Sequence, residues 1–160
     1  MSRREGRLEG SGVRMALVVS RFNGFVTSKL LAGAEECLEL HGCVARQRTV
    51  VPVPGAWEIP QVAKKLARTG QFDAILALGA LIRGETPHFD YLAAQVARGL
   101  AELGLDSGVP TIFGVLTTDT VEQAVARAGA KSANKGWEAA LSALEMVNLF
   151  RELDRPRAAD

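Results

Sequence analysis

The sequence has few of the residues that build disulfide frameworks and metal centres. Its 160 residues include only two cysteines, Cys37 and Cys43, and two histidines, His41 and His88. The cysteines have only His41 near them, so a zinc site would lack ligands, and the two histidines are far apart in the chain. We therefore expect two reduced cysteines and no metal, as is usual for a cytoplasmic protein.

Excess charge and long hydrophobic runs are also missing. Nineteen Lys and Arg residues against eighteen Asp and Glu residues leave a net charge of +1, so no overall field attracts nucleic acid or a membrane surface. No apolar run approaches the roughly 20 residues that span a bilayer. The basic start Met1–Arg7 is followed by no apolar stretch, so we expect no secretory signal.

The fingerprints of several ligand-binding and enzyme classes are absent. No G-x-G-x-x-G for dinucleotides follows a predicted strand, because Gly10-Ser-Gly12 precedes the first strand and lacks the third glycine. There is no G-x-x-x-x-G-K-[ST] for nucleoside triphosphates and no G-x-S-x-G elbow of a serine hydrolase. These absences argue against all three classes.

Short apolar runs that alternate with amphipathic segments make up most of the chain. Strands are predicted at Met15–Ser20, Gln47–Val51, Ala74–Gly79 and Thr111–Leu116. Helices are predicted from an N-cap at Thr27 to Gly42, over Glu58–Thr69 and Phe89–Leu103, after Thr120, and over Lys135–Asp154. This alternation predicts a parallel sheet with right-handed crossovers and helices on both faces.

The predicted sheet belongs to one domain. Residues 13–154 carry the alternating pattern, whereas residues 1–12 are rich in Gly, Arg and Glu and are expected to be a flexible segment. Residues 155–160 are expected to form a polar tail. A sheet of four strands has edges that need covering, which favours an oligomer.

Polar and aromatic residues collect after the carboxyl ends of the predicted strands. Phe22-Asn23 follows the first strand, Pro54–Glu58 the second, Gly84–His88 the third and Thr117–Asp119 the fourth. In an open α/β sheet, this edge forms the ligand-binding crevice. Four loops directed at one crevice predict a binding site there.

The residues with the strongest chemistry also have ordinary structural interpretations. His88 suits proton transfer, because imidazole is the side chain that most often moves protons in enzymes, but it can equally be a capping or surface histidine. Glu85 and Thr86 precede a helix whose N–H groups can bind an anion, or they form a simple turn. Arg127 can bind phosphate through two hydrogen bonds, or it can be solvated. Glu58 can accept hydrogen bonds from ligand hydroxyls and also interact favourably with a helix dipole.

Taken together, the motifs resemble those of the lumazine synthase family. The segments that carry the resemblance are Val19-Ser-Arg-Phe-Asn23, Val53-Pro-Gly-Ala-Trp-Glu-Ile-Pro60, Leu78-Gly-Ala-Leu-Ile-Arg-Gly-Glu-Thr-Pro-His-Phe-Asp-Tyr91, Phe113-Gly-Val-Leu-Thr-Thr-Asp-Thr120, Arg127-Ala-Gly129 and Asn134-Lys-Gly136. The resemblance runs in order from about residue 13 to about residue 152. It implies a flavodoxin-like three-layer α/β/α sandwich with a four-stranded parallel sheet.

The resemblance also implies the reaction and the residues that perform it. The reaction condenses 5-amino-6-(D-ribitylamino)uracil with 3,4-dihydroxy-2-butanone 4-phosphate to give 6,7-dimethyl-8-ribityllumazine, the penultimate compound of riboflavin biosynthesis, without a cofactor or metal. His88 transfers protons, and Glu85, Thr86 and Arg127 bind the phosphate. Residues around the ribitylaminouracil are Phe22, Asn23, Ala56, Trp57, Glu58, Ala80, Leu81, Ile82, Phe113 and Lys135, although an apolar residue such as Ile82 is otherwise a core residue.

The same resemblance implies a homo-oligomer with shared sites. Members form pentamers or shells of twelve pentamers, with Phe22, Glu58 and His88 from one protomer and Phe113, Arg127 and Lys135 from its neighbour. The segment 128–134 has no visible insertion, which favours the 60-subunit shell, and riboflavin synthase is a candidate partner.

Two other functions remain open from the sequence. A flavin-binding protein of the same fold is disfavoured because Arg21–Phe25 is not a hydroxyl-rich phosphate loop. A catalytically inert shell protein is disfavoured by the intact His88, Arg127 and Glu58.

Overall fold

The computed structural model describes residues 1–156, which contain four β-strands and five α-helices. The strands are β1 (Met15–Ser20), β2 (Arg48–Val53), β3 (Ala74–Ile82) and β4 (Thr111–Thr118). The helices are α1 (Gly24–Leu40), α2 (Ile59–Ala67), α3 (His88–Ser107), α4 (Val121–Ala126) and α5 (Lys135–Leu153). Their order along the chain confirms the predicted alternation of strands and helices.

The four strands form one sheet in which every neighbouring pair is parallel. The strand order is β2-β1-β3-β4, so the direction of winding reverses between β1 and β3. At the carboxyl edge, Ser20 lies beside Val53, and Val19 lies beside Leu78. A reversal of this kind leaves a crevice between the two strands at their carboxyl ends, where α/β proteins bind ligands.

Helices cover both faces of this sheet. Along β1, Met15 and Leu17 pack into the cluster beneath α1 and α5, whereas Ala16 and Val18 pack into the cluster beneath α2 and α3. Successive side chains of a strand point to opposite faces, so a strand covered on both sides is apolar throughout. The arrangement confirms the predicted three-layer α/β/α fold.

Helix α1 begins three residues before the predicted cap. Asn23 is the N-cap and adopts a left-handed conformation with φ 58° and ψ 41°, which asparagine tolerates better than most residues. Its carbonyl oxygen accepts hydrogen bonds from the N–H groups of Val26 and Thr27. The prediction of Thr27 as the N-cap is wrong, because the chain turns into the helix directly after β1 and buries Thr27.

Strand β3 is longer than predicted. It continues past Gly79 to Ile82, and β4 continues to Thr118, which lies beside Ile82. Ala80, Leu81 and Ile82 therefore belong to the strand and not to a loop, and they lie at the carboxyl edge of the sheet. The sequence pattern missed it because Gly79 resembles a strand end.

Residues 4–9 lie along α5, and the N–H of Gly10 donates a hydrogen bond to the carbonyl of His41 after α1. The side-chain amide of Asn148 donates hydrogen bonds to the carbonyls of Arg7 and Glu9, each at 2.8 Å, and Arg4 donates to the carbonyl of Glu152 at 2.9 Å. Of the predicted tail, residues 157–160 lie outside the described residues. Within residues 1–156, no helix is both long enough and apolar enough to cross a membrane.

Candidate active site

A pocket of about 260 Å³ opens at the carboxyl edge of the sheet, where the direction of winding reverses between β1 and β3. We call it the β1–β3 pocket. It collects residues from the ends of β1 and β3, from the β2–α2 loop and from the start of α3. Its lining is Phe22, Asn23, Gly55, Ala56, Trp57, Ala80, Leu81, Ile82, Gly84, Thr86, His88, Phe89 and Leu92. Nine of the fourteen residues predicted from the sequence lie in this lining.

Asn23 fixes the end of β1 against β3. Its side-chain amide donates a hydrogen bond of 2.9 Å to the carbonyl oxygen of Ala80. The N–H of Phe22 donates to the carbonyl of Pro54, which ties the same turn to the end of β2. The turn after β1 is therefore held by both neighbouring strands, and Phe22 projects from a rigid base.

Two large aromatic side chains of the pocket are exposed. Phe22 is 70% exposed and Trp57 is 56% exposed. Exposed aromatic surface around a pocket marks a site where a ligand or another protein surface packs.

His88 enters the pocket from the first residue of α3. It follows Pro87, the N-cap residue of the helix, and its side chain is exposed. Among residues 1–156, no side chain or backbone group forms a hydrogen bond with the imidazole. Both ring nitrogens are thus available to a ligand or to water.

The two predicted glutamates lie at the margin of the pocket. Glu58 is half-buried and accepts a hydrogen bond of 3.0 Å from the N–H of Gly55 through Oε2, which closes the turn before α2. Its other oxygen remains available for a ligand hydroxyl. Glu85 is exposed and lies outside the lining, between the lining residues Gly84 and Thr86.

Arg127 and Lys135 lie in a separate cleft, which we call the α4–α5 cleft. Its volume is about 210 Å³, and its lining is Ala126, Arg127, Ser132, Ala133, Lys135 and Glu138. Lys135 Nζ lies 3.6 Å from Glu138 Oε2, whereas Arg127 forms no ion pair with the described residues. This cleft is positively charged overall, with two cations and one carboxylate.

Phe113 belongs to neither group. It lies on β4, the strand at the edge of the sheet, and is 37% exposed. Within one protomer, the predicted site residues are therefore divided among the β1–β3 pocket, its margin, the α4–α5 cleft and the outer edge of the sheet.

Sequence reasoning missed part of the pocket. Phe89 and Leu92 complete an apolar wall and were not predicted, whereas Gly55 and Gly84 belong to the loops that the sequence placed at the crevice. Leu92 gives no signal of its own, because an apolar residue at helical spacing with Val96 and Leu100 predicts a core position. The signal for Phe89 was its position directly after His88.

Arg83 is a further residue whose role the sequence did not show. Its guanidinium group forms ion pairs with Asp119 and Asp90, each at 2.9 Å. Hydrogen bonds from the guanidinium to Asp119 and then to Asp90 raise the pKa of Arg83 above its ordinary value. The residue joins three segments at the rim of the pocket.

A metal centre has no visible basis in this part of the molecule. Within residues 1–156, no three His, Cys, Asp or Glu side chains are grouped closely enough to hold a metal ion. The polar groups of the pocket lining are instead backbone groups, the His88 imidazole, the Thr86 hydroxyl, the Asn23 amide and the Trp57 indole N–H, which suit small organic molecules.

The fold and the pocket define an α/β protein with a small-molecule site at the reversal of its parallel sheet. Residues 12–151 match the family model of 6,7-dimethyl-8-ribityllumazine synthase. The chain belongs to this family, which consists of transferases acting in riboflavin biosynthesis. The match confirms the resemblance read from the sequence motifs.

Proposed function

We propose that the protein condenses 5-amino-6-(D-ribitylamino)uracil with 3,4-dihydroxy-2-butanone 4-phosphate to give 6,7-dimethyl-8-ribityllumazine, phosphate and water. The observation that carries the proposal is the convergence of nine predicted residues from four chain segments on the β1–β3 pocket. Family membership supports the same reaction.

The pocket suits the pyrimidine substrate. Its ring stacks on Phe22 beside Trp57. Backbone groups of Ala80, Leu81 and Ile82 at the end of β3 form hydrogen bonds with the polar edge of the ring. The ribityl chain extends towards Ala56 and Glu58, whose free carboxylate oxygen accepts a hydrogen bond from a hydroxyl. This placement leaves the 5-amino group directed at His88.

The chemistry then needs orientation and proton transfers. The 5-amino group adds to the ketone, water leaves to form an imine, phosphate is eliminated, and ring closure by the ribitylamine nitrogen releases a second water. Holding amine and ketone in contact supplies the largest part of the rate. His88 moves protons between the attacking amine, the departing water and the substrate carbons.

The substrate phosphate binds at the start of α3. Glu85 and Thr86 directly precede α3, so we expect their backbone N–H groups to bind the phosphate, and the helix dipole favours an anion there. These groups are neutral, so a cation is needed to neutralise the phosphate. Arg127 suits that role because it has no carboxylate partner among the described residues.

Arg127 reaches the phosphate from a neighbouring subunit in this proposal. The α4–α5 cleft and the β1–β3 pocket are separate in one protomer, and Phe22, Trp57 and Phe113 leave apolar surface uncovered. A ring of subunits that places Arg127, Lys135 and Phe113 beside the next protomer's pocket completes the site and covers these surfaces. We propose a pentamer as this ring, assembled into a 60-subunit shell that can hold riboflavin synthase.

The state of the cysteines supports a cytoplasmic location. Cys37 and Cys43 are free and buried, and burial raises the pKa of the Cys37 thiol to about 11. We propose that the protein works in the cytoplasm, where thiols remain reduced.

The test follows the absorbance of the lumazine product and the released phosphate together, with both substrates and the assembled protein. Equal amounts of the two products, formed above the uncatalysed background, are expected. Arg127→Ala should raise KM for the phosphate substrate about 10- to 100-fold, because it removes charge-assisted hydrogen bonds. Arg46→Ala, which changes an exposed arginine outside both clefts, is the matched control.

Two results would contradict the proposal. A folded oligomer without acceleration would remove the catalytic function and favour an inert shell protein. A yellow purified protein that retains flavin and forms no lumazine would instead favour a flavin-binding protein of this fold.

A further inference from the structure

We propose that Arg83 is a positioning residue that holds the first turn of α3, and with it His88 and the 84–87 loop, in the geometry needed for the phosphate substrate. The kinetic part of this inference rests on the proposed function. The structural part stands on the contacts of Arg83 alone.

Arg83 connects three segments that meet at the rim of the β1–β3 pocket. It directly follows β3, and its N–H donates a 2.8 Å hydrogen bond to the carbonyl of Thr118. Nε donates to Asp119 Oδ1 at 2.9 Å, in the loop between β4 and α4. Nη1 donates to both carboxylate oxygens of Asp90, at 2.9 and 3.1 Å, in the first turn of α3.

The same guanidinium group packs on a wall of the pocket. Its central carbon lies 4.5 Å from the centroid of the Phe89 ring, within the range of a cation–π interaction. Phe89 lines the pocket next to His88. Arg83 therefore contacts Phe89 and Asp90, the two residues that directly follow His88.

The loop before α3 has little else to hold it. The N-cap residue is Pro87, which provides no side-chain hydrogen bond to the helix. Residues 84–88 are all exposed, and a Cβ added at Gly84 would meet no atom within 4 Å. Among residues 1–156, no side chain of the 84–88 segment forms a hydrogen bond.

The net charge around Arg83 argues that this residue positions the loop and does not bind phosphate directly. Two carboxylates neutralise the single positive charge of Arg83, so the three side chains together carry a net charge of −1. A phosphate at the 84–87 loop gains no net attraction from that group. Arg83 thus orders the loop, and the positive charge must come from another residue such as Arg127.

The exposure of the network makes the test practical. The side chains of Arg83, Asp90 and Asp119 are 43%, 59% and 67% exposed. Exposed ion pairs contribute little to global stability. Variants at Arg83 are therefore expected to fold and assemble, so that effects on the loop can be measured separately.

The experiment compares the wild-type oligomer with Arg83→Gln and Arg83→Lys. Amide hydrogen exchange is measured at Asp90 and Tyr91, whose N–H groups both bond to the Pro87 carbonyl. We expect Arg83→Gln to raise exchange at these amides, to raise KM for the butanone phosphate and to lower kcat, each roughly tenfold. KM for the pyrimidine should change less than twofold. Arg83→Lys keeps the positive charge but loses the planar guanidinium group that bonds to two carboxylates. Its exchange rates and kinetic constants should lie between those of the wild type and those of Arg83→Gln.

Arg98→Gln is the matched control. Arg98 lies on α3, the helix that Arg83 contacts, pairs with Glu102 at 2.7 Å and is outside the pocket lining. Unchanged exchange at Asp90 and Tyr91 in Arg83→Gln, or an equal rise in both KM values, would overturn the inference. If the wild type makes no lumazine, the proposed function fails, and the exchange result alone then decides whether Arg83 holds the turn.

Discussion

At the scale of single residues, exposure decides what each side chain can contribute. His88 reaches the β1–β3 pocket from an exposed first turn, so water has access to the imidazole whenever the pocket is open. Glu58 has one carboxylate oxygen occupied by the N–H of Gly55 and one free. His88 and Glu58 are therefore suited to assist the reaction, whereas the binding of the two substrates in the correct orientation contributes most of the rate.

This accessibility predicts a moderate effect of removing the imidazole. We expect His88→Ala to lower kcat about 10- to 100-fold, at the low end of general acid–base contributions, because water can replace the lost proton carrier. The orientation of the two substrates is retained. Steady-state kinetics with product absorbance measures the effect, and a complete loss of product in a folded oligomer would contradict it.

At the scale of secondary structure elements, buried caps hold the segments that carry the site. Asn134 is the N-cap residue of α5 and is 2% exposed. Its Oδ1 accepts a hydrogen bond from the N–H of Trp137, and its Nδ2 donates to the carbonyls of Lys29 and Gly129. One amide therefore joins α1, the end of the α4 segment and α5 next to Lys135.

The cap predicts a large loss of stability on truncation. Asn134→Ala should lower the free energy of unfolding by about 2–3 kcal/mol, because it removes a cap and leaves two carbonyls without their donor. Thr120→Ala removes the exposed cap of α4 and should cost about 1 kcal/mol. Denaturant unfolding at fixed protein concentration compares the two variants, and equal losses would show that burial of the Asn134 cap adds nothing.

The strands and helices were predicted correctly in number and order, but some of their ends were not. All four strands and five helices were predicted, because buried strands read as short apolar runs and helices as amphipathic ones. The start of α1 was misplaced because the left-handed conformation of Asn23 depends on its bonds to β3 and α1. The end of β3 was misplaced because pairing with β4, rather than local sequence, carries it past Gly79.

At the scale of the whole molecule, one protomer does not bring the predicted site together. The β1–β3 pocket holds the aromatic and imidazole groups, and the α4–α5 cleft holds Arg127 and Lys135. Strands β2 and β4 are the edges of the sheet within the protomer. An assembly of subunits is the simplest way to unite the two groups.

A shared site predicts that two defective variants restore each other. His88→Ala and Arg127→Ala protomers, co-refolded in equal amounts, should form mixed rings in which about one quarter of the interfaces carry both wild-type residues. At substrate concentrations below KM, activity should rise towards a quarter of the wild-type value, above either variant alone. A mixture no more active than the average of the two parents would place the whole site within one protomer.

The sequence by itself determined the elements, the parallel sheet and the loops at its carboxyl edge, because these follow from local apolar periodicity and the handedness of crossovers. Its motifs also determined the family, which residues 12–151 match. Only the tertiary structure decided that nine of the predicted residues line one pocket while Arg127 and Lys135 lie elsewhere. It alone revealed the contacts of Arg83 with Asp90 and Asp119. Distances between segments far apart in the chain depend on strand order and packing, which no local pattern encodes.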